Sequence, residues 1–490
     1  MKYLIIAIAL FAGTLRSFAN GSDSLAEGVR ADRPNFIIIF TDDQGYQDLG
    51  CFGSPDIKTP RIDRMAEEGM RFTSFYAQTV CGPSRAALLT GCYPLRHARH
   101  ADPDSIHPEL HLNEVTIAEV LKEQGYQTAA FGKWDLAGHS QTDYKPELLP
   151  KFQGFDEYFG TPTSNDRLVN LMHNTEMVEK NADMSTLTRR YTDNAIAFIE
   201  KTKESPFFVY LAHTMPHVKL AVSKQFAGKS AGGLYGDVIE EIDFNVGRVL
   251  DKVKELGLDE NTYIIFTSDN GPWWIKKKNG GHASPLRGAK TTCWEGGLRV
   301  PCVMRAPGRI PAGSECDAVT ATIDMMPTIT KLTGGELPSD RVIDGVDISA
   351  LMHGELESLD RNYFYYQHDC LRGVRSGRWK LMLPHTEPTS NSIAVKWKPH
   401  ALPADTSRIK HALLFDLEAD IGETTNVFAE NPERAAELMK IAEHAKNDIG
   451  DHDRFGANAR SFGATRRTLS TEIENVPSSG QQKRPAKTKR

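Results

Sequence analysis

The 490-residue sequence lacks a long uninterrupted apolar stretch, and it also lacks an excess of positive charge. No segment reaches the roughly 18 apolar residues that a membrane-spanning helix needs. The formal net charge is −6, whereas a general nucleic-acid-binding protein needs a basic face. The sequence therefore predicts no transmembrane segment and no nucleic-acid partner, and an anionic substrate would have to meet a local basic patch.

Cysteine is scarce, and its count is odd. In an exported protein, an odd count indicates that one cysteine has a separate role. Six would then remain for up to three disulfides, whose pairing the sequence does not define, although a chain of this length does not need them for stability. The seven are Cys51, Cys81, Cys92, Cys293, Cys302, Cys316 and Cys370.

The N-terminus has the pattern of an export signal. Lys2 supplies a positive charge, residues 4–12 form a short apolar run, and Ser17-Phe18-Ala19 resembles a small-x-small cleavage site. The run is too short to span a bilayer. We therefore predict a signal peptide over residues 1–19 and a secreted or periplasmic protein, with a retained interfacial anchor as the alternative.

The pattern that follows predicts an α/β fold. Continuous β-branched and aromatic runs at 35–40, 207–212 and 263–266 are typical of strands that are covered on both faces. Apolar residues at helical spacing over 115–123 and 236–256 predict helices between the strands. This alternation indicates a large mixed, mainly parallel sheet sandwiched by helices.

A change of pattern near residue 358 predicts a second, smaller domain. We assign residues 33–358 to the catalytic domain and 359–455 to a smaller C-terminal α+β domain. Residues 456–490 are rich in Ser, Gly, Arg and Lys, which predicts a disordered tail. The smaller domain is expected to hold short strands at 363–367, 373–375, 379–383 and 413–415 and a helix over 432–446.

Acidic and amide side chains follow two of the predicted strands. Asp42 and Asp43 come directly after the first strand, and Asp269 and Asn270 follow the 263–266 strand. Because ligands in open α/β sheets bind outside the carboxyl ends of strands, we expect these four side chains to converge. Such oxygen ligands suit Ca²⁺ or Mg²⁺ rather than zinc or copper. Taken alone, either pair would more often be a helix cap or a turn.

The most informative motif is Cys81-Gly82-Pro83-Ser84-Arg85, which is followed, after three intervening residues, by Leu89-Thr90-Gly91. It resembles the maturation signature of the type I sulfatases, a family of the alkaline-phosphatase-like superfamily. In that family a maturation enzyme oxidises the cysteine to Cα-formylglycine, whose hydrate is the nucleophile. The resemblance extends from about residue 35 to residue 380. It implies that Cys81 is converted by a formylglycine-generating enzyme and that the substrate is a sulfate ester. We expect a sulfated small molecule or polysaccharide as the substrate and favour a sulfated carbohydrate.

The resemblance also assigns the other site residues. Lys133 and Lys290 match the two sulfate-binding lysines, Arg85 matches the arginine that steadies the formylglycine, and His217 matches a histidine that contacts sulfate and protonates the leaving group. The lysines and the arginine would place positive charge where negative charge develops in the transition state. The imidazole of His217 suits proton transfer, because imidazole titrates near neutral pH. The implied ligands of Ca²⁺, or of Mg²⁺, are Asp42, Asp43, the modified side chain of Cys81, Asp269 and Asn270.

Two positions depart from the family pattern. Asp135 stands where the family usually has histidine, and Cys92 stands where arginine commonly follows Leu-Thr-Gly. An ionised Asp135 near sulfate would be repelled by it. We therefore expect Asp135 to pair with a cation such as Lys133, to act as a base during sulfate release, or to turn away from the pocket. We expect Cys92 to affect how well the maturation enzyme recognises the motif.

Aromatic and basic residues just beyond Asn270 are predicted to border the pocket. The rings of Trp273 and Trp274 suit a sugar or aryl group, and the lysines at 276–278 suit further anionic groups. A solvated basic loop with one buried tryptophan is an equal alternative for this segment. Four histidines are weighed as pocket residues against ordinary loop histidines: His97, His100, His139 and His282.

Two other functions compete with sulfate ester hydrolysis. One is a phosphonate or phosphodiester hydrolase of the same superfamily, which can share the cysteine motif. The pair Lys133 and Lys290 favours sulfate over this alternative. The other is a non-catalytic protein that binds sulfated glycans, which an unmodified Cys81 would favour.

Overall fold

The computed structural model describes residues 33–96, 109–386 and 408–460, and a large mixed sheet runs through them. The predicted signal peptide and the residues His97 and His100 lie outside the described residues. From Pro34 onward the described chain belongs to one compact unit. Residues 456–460 of the predicted tail are described, and Arg460 pairs there with Glu114 at 2.7 Å. The domain boundary near residue 358 stays a prediction.

Eleven strands form the main sheet of the described chain, in the order β10-β2-β9-β8-β1-β7-β3-β4-β5-β6, with β11 beside β2. Strands β8, β1, β7, β3 and β4 are all parallel, whereas β9, β5 and β6 run antiparallel to their neighbours. The predicted mixed, mainly parallel sheet is confirmed. The strands are β1 (Asn35–Thr41), β2 (Met70–Tyr76), β3 (Gln127–Lys133), β4 (Glu157–Thr161), β5 (Leu171–His173), β6 (Glu176–Glu179), β7 (Phe207–Ala212), β8 (Thr262–Ser268), β9 (Arg299–Arg305), β10 (Ser314–Cys316) and β11 (Thr320–Ala321).

Helices cover both faces of this sheet, so its central strands are buried. Along β1, Phe36 and Ile38 point into one apolar layer, and Ile37 and Ile39 point into the other. The helices are α1 (Pro60–Glu67), α2 (Cys81–Thr90), α3 (Ile117–Glu123), α4 (Leu187–Thr202), α5 (Gly233–Glu255), α6 (Glu295–Leu298), α7 (Met325–Leu332), α8 (Ser349–Met352) and α9 (Pro432–Asp448). The first layer contains side chains of α2, α3, α7 and α8, and the second contains those of α1, α4 and α5.

The predicted helix over 115–123 begins two residues late. Thr116 is its cap, because the Thr116 hydroxyl accepts the Glu119 N–H while the Glu119 carboxylate accepts the Thr116 N–H. Across the parts of the chain that are described, the helices are all too short or too polar to cross a bilayer.

A small antiparallel sheet packs near the C-terminus, with α9 against it. The buried carboxylate of Glu295, at the start of α6, joins it to the main sheet. Glu295 accepts a hydrogen bond from Tyr365 at 2.6 Å and pairs with Lys380 at 3.0 Å. The remaining strands are β12 (Asn362–Gln367), β13 (Cys370–Ser376), β14 (Trp379–Met382), β15 (His385–Thr386), β16 (Arg408–Ile409), β17 (Leu413–Asp416), β18 (Gly450–Asp451) and β19 (Arg454–Phe455).

The register of the central strands brings the site together. Thr41 at the end of β1 lies opposite Ser268 at the end of β8, and Phe40 lies opposite Ala212 at the end of β7. The residues that follow these strands therefore meet at one edge of the sheet. All seven cysteines lie in the described residues with free thiols, so the three disulfides that the count allows are not formed.

Candidate active site

Four oxygen-bearing side chains meet where β1 and β8 end. Asp42 and Asp43 follow β1, and Asp269 and Asn270 follow β8; all four are buried. The Asp43 N–H donates to Asp269 Oδ1 at 3.0 Å, and Asn270 Nδ2 donates to Asp43 Oδ1 at 2.8 Å. The backbone of Asp43 is left-handed, with φ of 65°, and turns the chain there. The structure thus brings the four predicted metal ligands together.

The unsatisfied oxygens of this group fit a hard divalent cation. Within the described residues, no hydrogen bond reaches Asp42 Oδ1, Asp43 Oδ2 or Asn270 Oδ1. Leaving such a buried group without a partner costs about 1–3 kcal/mol. Burial also raises the pKa of Asp269 above its ordinary value, and the nearby Asp42 carboxylate contributes to that rise. A bound divalent cation would relieve both penalties, and oxygen ligands are those that Ca²⁺ and Mg²⁺ prefer.

Cys81 is the first residue of α2 and faces these ligands. Its Sγ atom lies 3.4 Å from Lys290 Nζ and 4.0 Å from Asp43 Oδ1. The helix ends at Gly91, a left-handed cap that a side chain would disfavour. Burial raises the pKa of the Cys81 thiol well above its ordinary value, and Asp42 adds to the shift. A protonated thiol is a poor nucleophile, so the unmodified cysteine is unsuited to attack a substrate.

Ser84 and Arg85 fix α2 to the ligand group. The Ser84 hydroxyl accepts the Gln78 N–H at 2.8 Å and donates to the Asp269 carbonyl. Arg85 is fully buried; its Nη2 lies 2.8 Å from Asp269 Oδ2, and its Nη1 donates to the Lys133 carbonyl at 3.1 Å. Arg85 thereby holds a predicted metal ligand and the end of β3 in place.

Two buried lysines approach the ligands. Lys133 Nζ lies 2.7 Å from Asp42 Oδ2, and Lys290 Nζ lies 2.6 Å from Asp43 Oδ1. Burial alone would lower their pKa values, but the carboxylates around them raise both above the ordinary value. Both side chains therefore carry a positive charge at neutral pH, as binding of an anionic group requires.

His217 directs one ring nitrogen at the site. Its Nδ1 lies 3.0 Å from Asn165 Oδ1, and its Nε2 lies 3.7 Å from Asp43 Oδ2 and 3.9 Å from Asp166 Oδ1. Because Asn165 Oδ1 can only accept, Nδ1 carries the proton and Nε2 faces the pocket. Burial lowers the pKa of His217, although Asp43 and Asp42 act in the opposite direction. Asn165 lies in no recognised sequence motif, and only its contact with His217 in the folded protein marks it as a site residue.

Asp135 faces inward and is paired. It is fully buried; its Oδ2 lies 3.5 Å from Lys133 Nζ, and its Oδ1 lies 2.9 Å from His139 Nδ1. The other ring nitrogen of His139 lies 3.3 Å from Asp166 Oδ2. Of the three arrangements expected for Asp135, the structure shows pairing with a cation, and it adds His139 as a second partner.

The two tryptophans differ in their surroundings. Trp273 is half-buried; its ring centre lies 5.4 Å from that of His217 and 4.7 Å from Lys290 Nζ. Trp274 packs into the apolar layer of α1, α4 and α5 and is only 4% exposed, and its assignment to substrate binding stays a prediction. Its side chain stabilises the fold beneath the pocket wall.

His282 and the lysine run lie further out. The ring Nδ1 of His282 lies 3.3 Å from Asp48 Oδ1, and its own N–H donates to the same oxygen at 2.9 Å. His282 is thus held by Asp48 and not by the metal ligands. Lys276 Nζ lies 4.2 Å from the Trp273 ring centre, and Lys277 and Lys278 are exposed.

Comparison with known proteins shows the family of this chain. The sulfatase family model matches residues 34–335, and the model of the C-terminal region of N-sulphoglucosamine sulphohydrolase matches residues 289–448. The N-acetylgalactosamine-6-sulfatase of Mus musculus is 38% identical over 381 residues, which cover 71% of this chain and 72% of the relative. Arylsulfatase G of Rattus norvegicus is 33% identical over 90% of this chain and 91% of its own length.

A solved structure shares the fold. It is a Bacteroides thetaiotaomicron protein from work on the metabolism of multiple glycosaminoglycans. The match has a TM-score of 0.72 and 27% identity, and it covers 85% of this chain and 99% of that one. The fold is that of the alkaline-phosphatase-like superfamily, and a buried group of Asp42, Asp43, Cys81 and His217 could hold a metal ion. The chain belongs to the sulfatase family and is a sulfuric ester hydrolase.

Proposed function

We propose that this protein is an exported sulfatase that removes sulfate from a carbohydrate after Cys81 has been converted to formylglycine. The observation that carries the proposal is the position of Cys81 at the start of α2, between Lys290 and the Asp43 carboxylate. The proposed metal is Ca²⁺, or Mg²⁺ in its place, held by Asp42, Asp43, Asp269 and Asn270.

Formylglycine and the metal ion would have complementary roles. When present, formylglycine supplies a hydrate whose hydroxyls allow attack on sulfur and later expulsion of sulfate, and the metal supplies positive charge beside them. Arg85 holds Asp269 and the end of β3, so the ligands keep their arrangement when a substrate enters.

The protein's own cations would bind and polarise the sulfate group. Lys133 and Lys290 lie next to different ligands of the proposed metal, so both ammonium groups would add positive charge to the place where a sulfate group would bind. Preorganised charge of this kind stabilises the charge that develops in the transition state. His217 Nε2 faces the same space. When the ring is doubly protonated, a form that Asp43 and Asp42 favour, Nε2–H can give its proton to the departing alcohol oxygen, which leaves the ring neutral with its Nδ1–H still donated to Asn165.

A sugar is supported as the carrier of the sulfate. The half-buried ring of Trp273 lies beside His217 and Lys290, where the group attached to the sulfate would lie. Aromatic faces of this kind suit a sugar ring. The relative in Mus musculus bears the name N-acetylgalactosamine-6-sulfatase, which contains the name of a sugar.

The mass of the tryptic peptide over residues 72–85 tests the proposal. Conversion of Cys81 to formylglycine lowers this mass relative to the peptide with cysteine, and a Cys81→Ala protein provides the unmodifiable control. Rates on a sulfated monosaccharide, an aryl sulfate and a phosphodiester should be measured on the same sample. Unmodified cysteine in an active enzyme would refute the formylglycine proposal, and a phosphodiester cleaved faster than every sulfate would favour the alternative activity.

A further inference from the structure

One imidazole ring bridges two carboxylates at the side of the candidate active site. His139 Nδ1 lies 2.9 Å from Asp135 Oδ1, and His139 Nε2 lies 3.3 Å from Asp166 Oδ2. Asp135 is fully buried, whereas the side chains of His139 and Asp166 are 33% and 45% exposed. The bridge therefore runs from the interior of the site to its mouth.

Asp135 poses an electrostatic problem for an anion-binding site. Its carboxylate lies 3.5 Å from Lys133 Nζ, and the same ammonium lies 2.7 Å from Asp42 Oδ2. One lysine charge is thus shared between two buried carboxylates. Without a further cation, Asp135 would cancel much of the attraction that Lys133 offers to sulfate.

The backbone around the bridge is held in place by neighbouring hydrogen bonds. The Asp135 N–H donates to the Pro162 carbonyl at 3.1 Å. Gln141 Nε2 donates to Thr161 Oγ1 at 2.7 Å and to the Ser164 carbonyl at 2.8 Å. These bonds tie the segment after β3 to the segment after β4, so His139 and Asp166 are kept opposite each other.

The same segment supports the proposed acid. Asp166 directly follows Asn165, whose Oδ1 lies 3.0 Å from His217 Nδ1. Asp166 Oδ1 itself lies 3.9 Å from His217 Nε2. A change in the charge at His139 therefore acts on both Asp135 and the neighbourhood of His217.

We propose that His139 is a positioning residue of the sulfate pocket, which as an imidazolium joins Asp135 to Asp166 and offsets the negative charge of Asp135 beside Lys133. In this arrangement Asp135 and His139 together take the place of the one histidine that the family usually has at position 135. The inference rests on the proposed function, because sulfate is the anion whose binding the bridge protects.

The charges that face His139 give the bridge a pH dependence. Burial alone would lower its pKa, but hydrogen bonds to Asp135 and Asp166 raise it to about 9, while Lys133 acts in the opposite direction. His139 is therefore protonated at neutral pH and loses its charge as the pH rises through about 9. Sulfate affinity should fall over the same interval, since Asp135 and Asp166 then lack their shared cation.

Binding of inorganic sulfate to the full-length, metal-loaded protein tests this inference without turnover. Calorimetry at a pH of about 7 should show about tenfold weaker sulfate binding in His139→Gln, because one nearby positive charge is lost. His139→Lys restores the charge and should recover part of the affinity. His173→Gln, an exposed histidine on β5, is the matched control and should bind like wild type.

A second measurement reports on the bridge directly. NMR of protein labelled at histidine, with His139→Gln used to assign the signal, should show His139 titrating near pH 9, and Asp166→Asn should move that titration to lower pH. Unchanged sulfate binding in His139→Gln at neutral pH, or a wild-type His139 that titrates near its ordinary value, would overturn the inference. If the proposed function is wrong, the wild type will not cleave sulfate esters, while sulfate binding and the His139 titration remain as expected above. Failure of the proposed function can therefore be told apart from failure of the inference about His139.

Discussion

Lys290 Nζ lies 3.4 Å from Cys81 Sγ, which places a permanent positive charge at the side chain that the family motif marks for modification. The same ammonium lies 2.6 Å from Asp43 Oδ1. An anionic group that approaches Cys81 would therefore meet a cation and a proposed metal ligand together. This relationship makes position 81 the first place to test the mechanism.

Replacing Cys81 with serine should leave the fold intact but abolish repeated turnover. Serine can form a sulfate ester but has no second hydroxyl on the same carbon to expel the sulfate. Mass spectrometry of Cys81→Ser after incubation with an aryl sulfate should show a sulfate ester on the introduced serine, and steady-state assays should show no catalysis. A Cys81→Ser protein that turns over at the wild-type rate would contradict the formylglycine mechanism.

Removing the metal should abolish activity and lower thermal stability. The carboxylates of Asp42, Asp43 and Asp269 repel one another when no cation lies between them. A metal present at about 100 times its dissociation constant adds about 2.7 kcal/mol to the free energy of unfolding, which a chelator removes. Differential scanning calorimetry should show a lower Tm with chelator, restored by Ca²⁺ or Mg²⁺.

Asp269→Asn provides the comparison for that experiment. It removes one ligand charge and the carboxyl group whose pKa is raised by burial. The chelator should then change the Tm less than in wild type. Equal activity and Tm with and without chelator in the wild type would show that these oxygens hold no functional metal.

Asn165→Ala should impair the proton donor more than the binding of sulfate. Without the acceptor that fixes His217 Nδ1–H, the ring can adopt the other tautomer or rotate. We expect kcat for a sugar sulfate, whose alcohol leaves poorly, to fall by about tenfold or more, with a smaller change for nitrophenyl sulfate. Asn194→Ala on α4 is the matched control. Equal losses on both substrates would argue against a role in proton donation.

Neutralising Lys276, Lys277 and Lys278 should raise the KM for a multiply sulfated oligosaccharide by about fivefold, since exposed charge pairs each contribute about 0.2–1 kcal/mol. The KM for a small aryl sulfate should change little. Lys276 already contacts the Trp273 ring, so this segment lies at the pocket wall.

A triple glutamine variant at Lys201, Lys203 and Lys254 is the control for net charge. These exposed lysines lie at or just beyond the ends of α4 and α5. If the control variant raises the KM for the oligosaccharide as much as the variant of residues 276–278 does, the lysine run does not form a glycan subsite. The same conclusion follows if the variant of residues 276–278 changes the KM for the oligosaccharide and for the aryl sulfate alike.

The sequence predicted the central strands because their apolar runs are continuous. It did not predict β2 and β9, whose polar residues hide the strand pattern. Arg299 in β9 is buried and bonds the Thr73 carbonyl of β2, a long-range contact that no local pattern reveals. Helix α2 was also missed, because it is buried on nearly every side and so has no amphipathic stripe.

For the site, motifs located the residues but not their supports. Asp42, Asp269, Lys133 and Lys290 converge as the strand ends and the resemblance imply. Asn165 and Asp166 lie in a loop without a motif, and only the fold brings them to the histidines. Trp274 illustrates the converse, because its neighbour faces the pocket while its own ring points into the core.

The burial of α2 determines when the proposed modification of Cys81 can occur. Cys81 is only 4% exposed, and Arg85, one turn further along, is fully enclosed. A modifying enzyme needs the cysteine in an accessible, extended segment, which the packed helix does not offer. If Cys81 is converted as proposed, conversion must therefore precede the docking of α2 onto the sheet. The fraction of converted molecules would then depend on the rate of modification relative to the rate of folding, and chains that fold first would keep an unmodified Cys81 inside a correctly folded protein.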